Sequence, residues 1–236
     1  MICSGLAQSW RTWACSGVSC RVISHAPKPT LDAANSSRSQ HHDPGGTTLR
    51  LGGAETINTL ANAGTVNLVN VGSALTTGAT DYTLGGTVSG LGSLIKSGTG
   101  LLTLDAAGTF SYTGGTTVNA GKLLLGANSR LADTGTVTVN GGSFDLGGFA
   151  DTVGTVTLTG GTVENGTLTV NAANTFALQA GTVSAVLAGT AALNKTTGGS
   201  VTLSHLPGKP PSIGNNVVFD PVVAPNGYID HVITDR

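Results

Sequence analysis

The sequence predicts an all-β fold in which the middle of the chain forms a parallel β-solenoid, and three observations support this. A six-residue phrase recurs at Val118, Val139, Leu158 and Leu178 as VNAGKL, VNGGSF, LTGGTV and LQAGTV, in steps of 21, 19 and 20 residues. Between these phrases, apolar and polar residues alternate with a period of two, which is typical of β-strands. No proline interrupts residues 45–206, so strands in this stretch are free to pair along both edges.

The composition argues against several classes of protein. Charged residues are 10% of the chain, whereas an ordinary globular domain has about 25%. The apolar fraction of 39% and the net charge of -1 differ from the polar, highly charged composition of disordered chains. The near-neutral balance also predicts no nucleic-acid partner and no attraction to an anionic membrane. The 36 glycines therefore indicate turns within a folded repeat.

Residue types divide the chain into three segments. Residues 1–44 contain all three cysteines and both tryptophans, and we expect a poorly ordered leader without repeats. Residues 45–204 lack proline, cysteine, tryptophan and histidine, and they form the predicted repeat region. Residues 205–236 contain five of the eight prolines, and we expect an irregular tail there. The solenoid is therefore predicted to lie between two segments of different composition.

Within the repeat region, the strands are expected at segments such as Thr136–Asn140, Thr155–Thr159 and Thr167–Asn171. Glycines separate these segments, because a coil of about 20 residues must turn corners and glycine accepts the positive backbone dihedrals that corners need. A longer echo links Ser93–Leu104 to Ala192–Leu203 at an offset of 99 residues, which is about five of the shorter steps. Both periods therefore describe one stack of coils.

Stacking predicts which side chains lie inside the solenoid and which lie outside. Val118, Val139, Leu158 and Leu178 are expected to form an inner column with one residue per coil, because a single coil cannot bury its own apolar face. The residues that follow them are expected to form an outer polar ladder of Asn119, Asn140, Thr159 and Gln179. With about 4.8 Å between neighbouring strands, about eight coils would form a rod on the order of 40 Å long.

The run GSLIKSGTGLLTLDAAGTFSYTGGTTVNAGKLLLG, from Gly92 to Gly126, resembles the passenger-associated repeat of bacterial autotransporters. The family cassette reads Leu-x-Lys, then Gly-x-Gly-x-Leu-Thr-Leu, then Tyr-Thr-Gly-Gly-Thr-Thr-Val-x-x-Gly. The matching positions are Lys96, Gly98, Gly100, Leu102, Thr103, Leu104, Tyr112 to Val118, and Gly121. Looser copies extend the resemblance over much of residues 65–204.

The resemblance implies a secreted, right-handed, single-stranded parallel β-helix exposed at the outer surface of a Gram-negative cell. It implies a structural role as a rigid stalk and an aid to export, with adhesion to cell or host surfaces as a further role. It also implies one partner, an outer-membrane β-barrel translocator that this chain does not encode. The family repeats are not known as catalytic cassettes, so no catalytic, cofactor or metal residues are expected.

The chain departs from the family pattern at three places. The Tyr-Thr-Gly-Gly phrase is missing after the half-cassette at Lys195–Leu203. The 32 residues of the tail are too few for a membrane barrel, since even eight strands of about ten residues need more. The first twenty residues have no basic residue before Arg11 and no clean apolar core, so no signal peptide is predicted. We therefore expect a fragment of a longer passenger, or a reading frame whose ends are misassigned.

An enzyme that acts on polysaccharides is the main alternative, because other β-helices cut such polymers with clustered carboxylates. Asp145 and Asp151 flank the segment FDLGGFAD and are the candidate pair, expected to share a corner of one coil. The competing interpretation is that aspartates fill turns, where their side chains cap local amides. Fold alone does not imply such a site, so this alternative stays second to the structural role.

A third alternative is a flat face of threonines that binds ice or another ordered surface. Its candidate residues are the Thr-x-Thr pairs Thr136/Thr138, Thr155/Thr157 and Thr167/Thr169. Outward threonine is also simply a good strand former, and the unequal coil lengths argue against a flat array. This alternative therefore depends on whether the coils align the pairs in rows.

No cofactor or metal is expected from the remaining motifs. His41 and His42 beside Asp43 are interpreted as an exposed polar linker, and the segment Gly147–Asp151 is a single imperfect copy of a calcium-binding repeat. The segment GTGLLTLD lacks the ending of a phosphate-binding loop. The cysteines Cys3, Cys15 and Cys20 are odd in number and do not suggest a zinc site.

Overall fold

The structure, a computed structural model, describes residues 48–57, 64–195 and 199–203 with their side chains. It describes the backbone alone for strands at residues 14–16, 19–21, 30–33, 41–42, 60–61, 218–223 and 229–234. Across these residues the regular structure is β-strand, with no helix, and therefore no helix that is long and apolar enough to cross a membrane.

The strands of the described residues are β1 (Ala14–Ser16), β2 (Ser19–Arg21), β3 (Thr30–Ala33), β4 (His41–His42), β5 (Thr48–Leu51), β6 (Ala54–Ile57), β7 (Leu60–Ala61), β8 (Thr65–Leu68), β9 (Ala74–Thr77), β10 (Tyr82–Leu84), β11 (Thr87–Gly90), β12 (Ser93–Lys96), β13 (Leu101–Leu104), β14 (Thr109–Tyr112), β15 (Thr116–Val118), β16 (Lys122–Leu125), β17 (Val137–Val139), β18 (Ser143–Asp145), β19 (Ala150–Val153), β20 (Val156–Leu158), β21 (Thr162–Glu164), β22 (Thr167–Val170), β23 (Thr175–Leu178), β24 (Gly181–Val183), β25 (Val186–Ala188), β26 (Ala192–Lys195), β27 (Val201–Leu203), β28 (Val218–Val223) and β29 (Ile229–Thr234).

Most of these strands form the predicted parallel β-solenoid, with about seven turns and three faces. Face 1 is one sheet of β6, β9, β12, β15, β17, β20, β23 and β26. Face 2 contains β10, β13, β16, β18, β21, β24 and β27, followed by β29 and β28. Face 3 consists of two sheets, one of β3, β5, β8, β11 and β14 and one of β19, β22 and β25. The predicted all-β solenoid class is confirmed, while its right-handed sense stays a prediction.

The coils have unequal lengths, but their strands remain in register. Along face 1, successive register partners, from Ala54 opposite Ala74 to Thr175 opposite Ala192, are separated by 20, 19, 22, 21, 19, 20 and 17 residues. The extra residues lie outside the strands of face 1, because these strands keep three or four residues each. Coil length therefore varies without disturbing the rows of side chains on this face.

The predicted inner column is confirmed. Val118 lies opposite Val139, which lies opposite Leu158, which lies opposite Leu178, and all four are buried. The column continues to Lys96 below Val118 and to Lys195 above Leu178, five coils apart. The offset of 99 residues in the sequence therefore separates two lysines that occupy the same column. Neighbouring coils bury each other's aliphatic side chains, which is the source of stability in a stacked repeat.

A second column, made of glycines, lies at the corner between faces 1 and 2. Gly121, Gly142, Gly161 and Gly181 have φ values of 66, 67, 76 and 122°. A Cβ atom on any of them would lie 2.3 to 2.5 Å from the carbonyl oxygen of the glycine one coil below. The next residue in each upper coil donates its N–H to that same oxygen, as Ser143 does to Gly121 at 2.8 Å. The recurring glycine is therefore required by both dihedral and space.

Face 3 is interrupted in one coil. Residues 126–136, all of which are described, contain no strand. On face 3, the sheet that ends at β14 is therefore separated from the sheet that begins at β19 by one coil without a strand. The buried side chain of Leu131 supplies an apolar group to the interior at this level. The loop also donates the N–H of Ser129 to the carbonyl of Ala150 at 3.0 Å. The loop therefore takes over part of the bonding that a strand would supply to its neighbours.

Both flanking segments contain strands. In the tail, β28 and β29 form an antiparallel hairpin, and β29 pairs with β27 at the end of face 2. In the leader, β1 and β2 form an antiparallel pair, while β3 and β4 pair in parallel with β5 and β7. The segment boundaries after residues 44 and 204 stay predictions. An antiparallel strand ends the parallel stacking on face 2 and covers an edge that would otherwise be open.

We predict that Gly142→Ala lowers the free energy of unfolding by roughly 2–4 kcal/mol, because the new Cβ meets backbone in a strained φ region. Its nearest neighbours would be Gly121 O at 2.4 Å and Ala120 C at 2.8 Å, and neither can rotate away. Gly72→Ala is the matched control, since a Cβ there has no atom within 4 Å. Denaturant titration followed by circular dichroism measures both variants. Equal midpoints would contradict the proposed role of the glycine corner.

Candidate functional site

The predicted outer polar ladder runs along the corner beside the glycine column. Asn140 Nδ2 donates to Asn119 Oδ1 at 2.9 Å, and Thr159 Oγ1 donates to Asn140 Oδ1 at 2.8 Å. Gln179 continues the row, with its backbone N–H donating to Leu158 O at 2.7 Å. The ladder is thus hydrogen-bonded over three coils. Such bonds satisfy the side chains along the rod rather than leaving them free for a ligand.

The structure brings two of the three predicted threonine pairs together and separates the third. Thr138 lies opposite Thr157 on face 1, so the pairs that contain them lie in adjacent coils. Thr117 extends this row by one coil, since it lies opposite Thr138. The pair Thr167/Thr169 lies on face 3 in β22 and belongs to a different surface. Of the three predicted pairs, two therefore align on face 1, while other rows of threonine lie on face 3 at Thr48, Thr65, Thr87 and Thr109 and on face 2 at Thr162, Thr182 and Thr202.

The outward surface of face 1 carries no formal charge. The charged residues in its strands are Glu55, Lys96 and Lys195, and all three occupy inward-facing positions of the strands. The outward positions hold neutral side chains, most of them short: Ala54, Thr56, Thr76, Ser93, Ile95, Thr117, Thr138, Thr157, Thr175, Ala177, Ala192 and Asn194. This surface is thus continuous, neutral and rich in threonine over eight strands.

A charged cluster lies on the outer surface of face 2. Lys122 Nζ contacts Asp145 Oδ2 at 2.8 Å and Glu164 Oε1 at 2.9 Å, which joins strands of three successive coils. Ser143 Oγ donates to Glu164 Oε1 at 2.5 Å, and Asn165 Nδ2 donates to Asp145 Oδ1 at 3.2 Å. The hydrogen bonds to Asp145 and Glu164 raise the pKa of Lys122. We call these five residues the face 2 cluster.

Burial would raise the pKa of Asp145, but its hydrogen bonds outweigh that effect. The Lys122 ammonium, the Gly147 N–H and the Asn165 amide all donate to the carboxylate and hold its pKa below the usual value. Asp145 is therefore ionised and engaged on both oxygens. A carboxylate held in this way is a poor proton donor, which weighs against its use as a general acid.

Asp151 lies in a different environment, facing the interior from face 3. Its Oδ2 accepts the N–H groups of Arg130 at 2.7 Å and Leu131 at 3.1 Å, while its Oδ1 is buried without a hydrogen-bond partner. Burial raises the pKa of this carboxyl to about 6, although its backbone hydrogen bonds work in the opposite direction. Asp151 thus anchors the loop at residues 126–136 from the coil above.

Arg130 anchors the same loop to the coil below. Its guanidinium Nη1 donates to the carbonyl oxygens of Gly108 at 2.7 Å, Ala106 at 3.2 Å and Asp105 at 3.4 Å. Arg130 and Asp151 therefore bond the loop at residues 126–136 to the coils below and above it, where face 3 has no strand. The sequence did not reveal this role, because residues 105 and 151 are each more than 20 positions from Arg130.

The two candidate catalytic carboxylates are not brought together. Asp145 lies on the outward surface of face 2 and Asp151 on the inward surface of face 3, and they share no hydrogen-bond partner. Each carboxylate has a structural task of its own. The arrangement therefore gives no support to a carboxylate pair that acts on one glycosidic bond.

Lys96 is the least expected residue of the interior. It is fully buried in the inner column, and its Nζ donates to the carbonyl oxygen of Gly98. Burial lowers the pKa of Lys96, an effect that the charge of Asp81 partly offsets. The ammonium also lies against Gly121, where a Cβ would be 2.8 Å from Nζ. The lysine of the repeat is thus an internal group that bonds its own corner and packs beside the corner of the next coil, not a surface charge.

Among the residues with described side chains, no group of three or more His, Cys, Asp or Glu residues could hold a metal. The motif His41–Asp43 and the three cysteines lie outside that part of the chain, so their interpretation stays a prediction. Two residues of the segment Gly147–Asp151 make structural hydrogen bonds. The Gly147 N–H donates to Asp145 Oδ1, and Asp151 Oδ2 accepts the N–H of Arg130 in the loop.

We predict that Asp151→Asn changes the dependence of stability on pH. Because the folded carboxyl has a pKa of about 6 against an ordinary 3.8, the folded state holds this proton more tightly. Its contribution to stability is therefore greatest below pH 4 and declines as the pH rises to about 6. The asparagine variant keeps an acceptor for the Arg130 and Leu131 N–H groups and lacks this decline. Denaturant titrations from pH 3.5 to 8 compare it with wild type.

Asp105→Asn is the control, since it removes an equal charge whose Oδ1 caps only the local Ala107 N–H. The decline assigned to Asp151 should persist in this variant, because Asp151 is unchanged. Asp151→Ala should instead lose about 1–3 kcal/mol at every pH, because two buried N–H groups lose their acceptor. Parallel pH profiles for wild type and Asp151→Asn would contradict the assignment.

We predict that Lys96→Met is at least as stable as the wild type at pH 7, because methionine fills the column without burying a charge. The folded pKa of Lys96 lies below 10.5, so the unfolded chain holds the proton more tightly between the two values. Wild-type stability should therefore rise with pH across that interval, and the variant should lack this rise. Lys122→Met, at the half-exposed lysine of face 2, is the control. A large loss of stability in Lys96→Met at pH 7 would contradict this account.

Comparison with known families gives one match. Residues 94–125 match the Passenger-associated-transport-repeat, which corresponds to 32 of the 236 residues and runs from β12 to β16. No curated protein and no solved structure matches the chain. The matched segment contains Lys96, the first glycine of the corner column and the start of the inner column. The chain is therefore a parallel β-solenoid that carries a passenger-associated transport repeat, an autotransporter passenger-like segment.

Proposed function

We propose that this solenoid is a rigid β-helical stalk in the passenger of a surface protein, and that it aids export of the passenger. The observation that carries the proposal is the continuity of face 1, in which eight strands stack in register without a break. At about 4.8 Å per strand, that face extends on the order of 35 Å. A stalk of this kind holds attached modules away from the cell surface.

The same stacking supports a role in export. Each coil presents a template for the next, because the glycine corner and the inner column of one coil offer unpaired backbone and apolar surface to the following coil. A chain that emerges gradually can therefore fold coil by coil. Such folding captures the emerged segment and opposes its return. The partner in this proposal is an outer-membrane β-barrel translocator, and the location is the cell surface or the extracellular space.

Adhesion is the second part of the proposal, and face 1 is its favoured surface. Its neutral outward rows have no charge to oppose contact with an uncharged surface, while the hydroxyl and methyl groups of threonine offer both polar and apolar contacts. The register of Thr117, Thr138 and Thr157 also favours the alternative of an ordered-water or ice surface. Thermal hysteresis of the full chain tests that alternative, and its absence at high concentration would remove it.

The polysaccharide-cleaving alternative is kept only as a test. Asp145 and Asp151 each hold structural hydrogen bonds on separate faces, which weighs against joint chemistry. Wild type and the Asp145→Ala/Asp151→Ala variant are assayed on pectin-like and glucan polymers. Equal background rates support the non-catalytic role, and turnover by the wild type that the variant lacks would overturn it.

We predict that the full chain supports surface display when it is placed between an N-terminal epitope and an autotransporter β-barrel in a Gram-negative host. The epitope should become accessible to antibody on intact cells, because the stacked coils fold outside the membrane and hold the chain there. The variant Gly142→Ala/Gly161→Ala should reduce surface epitope several-fold, since it strains two successive corners. Flow cytometry on intact cells measures the outcome.

Gly72→Ala is the control for this experiment and should display as the wild type does, because its Cβ would meet nothing within 4 Å. Total epitope in lysed cells corrects for expression. Retention of the wild-type fusion inside the cell would argue against the proposal. If the double variant reached the surface as often as the wild type, export would not depend on folding of the solenoid. That result would contradict the proposed role in export.

A further inference from the structure

Two asparagine–glycine pairs lie among the residues with described side chains, Asn140–Gly141 and Asn165–Gly166. Such pairs are chemically labile in proteins, because the backbone nitrogen of the residue after asparagine can attack the side-chain carbonyl carbon Cγ. Glycine leaves that nitrogen unshielded, since it has no Cβ. Whether the attack occurs in a folded chain depends on how firmly the nitrogen and the amide are held.

The fold protects Asn140. Its Nδ2 donates to Asn119 at 2.9 Å and its Oδ1 accepts from Thr159 at 2.8 Å, so the amide is held from both neighbouring coils. The attacking nitrogen is also engaged, because the N–H of Gly141 donates to the carbonyl of Val118 at 3.3 Å. Reaction at this pair requires the breakage of several bonds between coils.

The fold leaves Asn165 accessible. This residue is exposed in the turn between β21 and β22, and its amide makes one hydrogen bond, from Nδ2 to Asp145 Oδ1 at 3.2 Å. The N–H of Gly166 donates no hydrogen bond to any residue that the structure describes. The Gly166 N–H and Asn165 Oδ1 therefore lack the hydrogen bonds that hold the Asn140 pair, and the peptide between the two residues is held through its carbonyl oxygen, which accepts the N–H of Gly148 at 2.6 Å.

The backbone of the turn favours this labile pair. Asn165 has a φ of 55°, a left-handed conformation in which asparagine is among the few favoured residues other than glycine. Gly166 has a φ of 149°, and a Cβ there would lie 2.3 Å from Phe149 O. A bulkier residue at position 166, which would slow the attack, does not fit. The geometry of the corner thus selects a reactive dipeptide.

We propose that Asn165 is a site of spontaneous deamidation in this protein. The Gly166 nitrogen forms a bond to Asn165 Cγ and loses its proton to water, while the side-chain nitrogen leaves as ammonia. The resulting five-membered succinimide is then opened by one water molecule. Opening at either carbonyl yields aspartate or isoaspartate at position 165, with no oxidant or cofactor required.

The product places a new negative charge in the face 2 cluster. Asn165 donates to Asp145 before the reaction, and a carboxylate at the same position cannot donate. Lys122 already serves two carboxylates, Asp145 and Glu164, and would face a third. Repulsion between like charges should therefore weaken the bonding that joins the three coils of the cluster. Deamidation acts here as a slow, irreversible loosening of one face of the rod.

The test is prolonged incubation of the full chain at pH 8 and 37 °C, followed by proteolysis and tandem mass spectrometry at successive times. We expect the gain of about one mass unit at Asn165 to proceed at least fivefold faster than at Asn140, with aspartate and isoaspartate as separable products. A rate at Asn140 that equals or exceeds the rate at Asn165 would overturn the proposal. So would a folded chain in which Asn165 stays unmodified over the time that an unfolded sample of the same chain needs to react fully.

Two variants test the consequence for the cluster. Asn165→Asp reproduces the main charge of the product and should lower the denaturation midpoint, with a smaller effect at high salt because the repulsion is screened. Asn165→Gln keeps an amide donor and should show little deamidation. Because glutamine fits the left-handed φ less well than asparagine, the readout for this variant is the salt dependence of its midpoint, which should be smaller than that of Asn165→Asp. Equal midpoints for Asn165→Asp and wild type at low salt would overturn the consequence for the cluster. None of these outcomes depends on the proposed stalk function.

Discussion

The close approach of successive backbones at the corner between faces 1 and 2 is the constraint on which the rest of the structure depends. Gly121, Gly142 and Gly161 adopt positive φ values, and each lies so near the coil below that a side chain would collide with its carbonyl oxygen. That same oxygen accepts the next N–H of the upper coil. The spacing of coils at this corner sets the register of the strands on both adjoining faces. The inner aliphatic columns follow from that register.

In a chain of such low charge, two of the ionisable groups that the structure describes join neighbouring coils. Lys122 contacts Asp145 and Glu164 on the outside of face 2, and Asp151 accepts loop N–H groups from the inside of face 3. Lys96 instead bonds Gly98 within its own coil. The outer surface of face 1 needs no such group, because its strands are already paired in an unbroken sheet.

The three faces thus differ in what they can offer to a partner. Face 1 is continuous and neutral, face 2 carries the charged cluster and ends in an antiparallel hairpin, and face 3 is interrupted where the loop at residues 126–136 replaces a strand. A rod with one uninterrupted face keeps its stiffness despite a break in another, because the coils still stack through the remaining sheets. The passenger-associated repeat matched at residues 94–125 runs from β12 to β16 and ends directly before the interruption.

The sequence alone determined the period, the strand type and the inner column, because these properties repeat. Val118 and its equivalents recur with the glycine phrase, and repetition reveals side-chain direction without coordinates. The long offset likewise placed Ser93–Leu104 and Ala192–Leu203 in one stack, whereas the structure showed that Lys96 and Lys195 share the inner column and that Lys96 is fully buried. Only the tertiary structure showed that Asp145 and Asp151 lie on different faces and that no strand forms around Arg130. These features occur once, in single coils, and depend on contacts between residues about 20 or more positions apart, which a repeating pattern cannot encode.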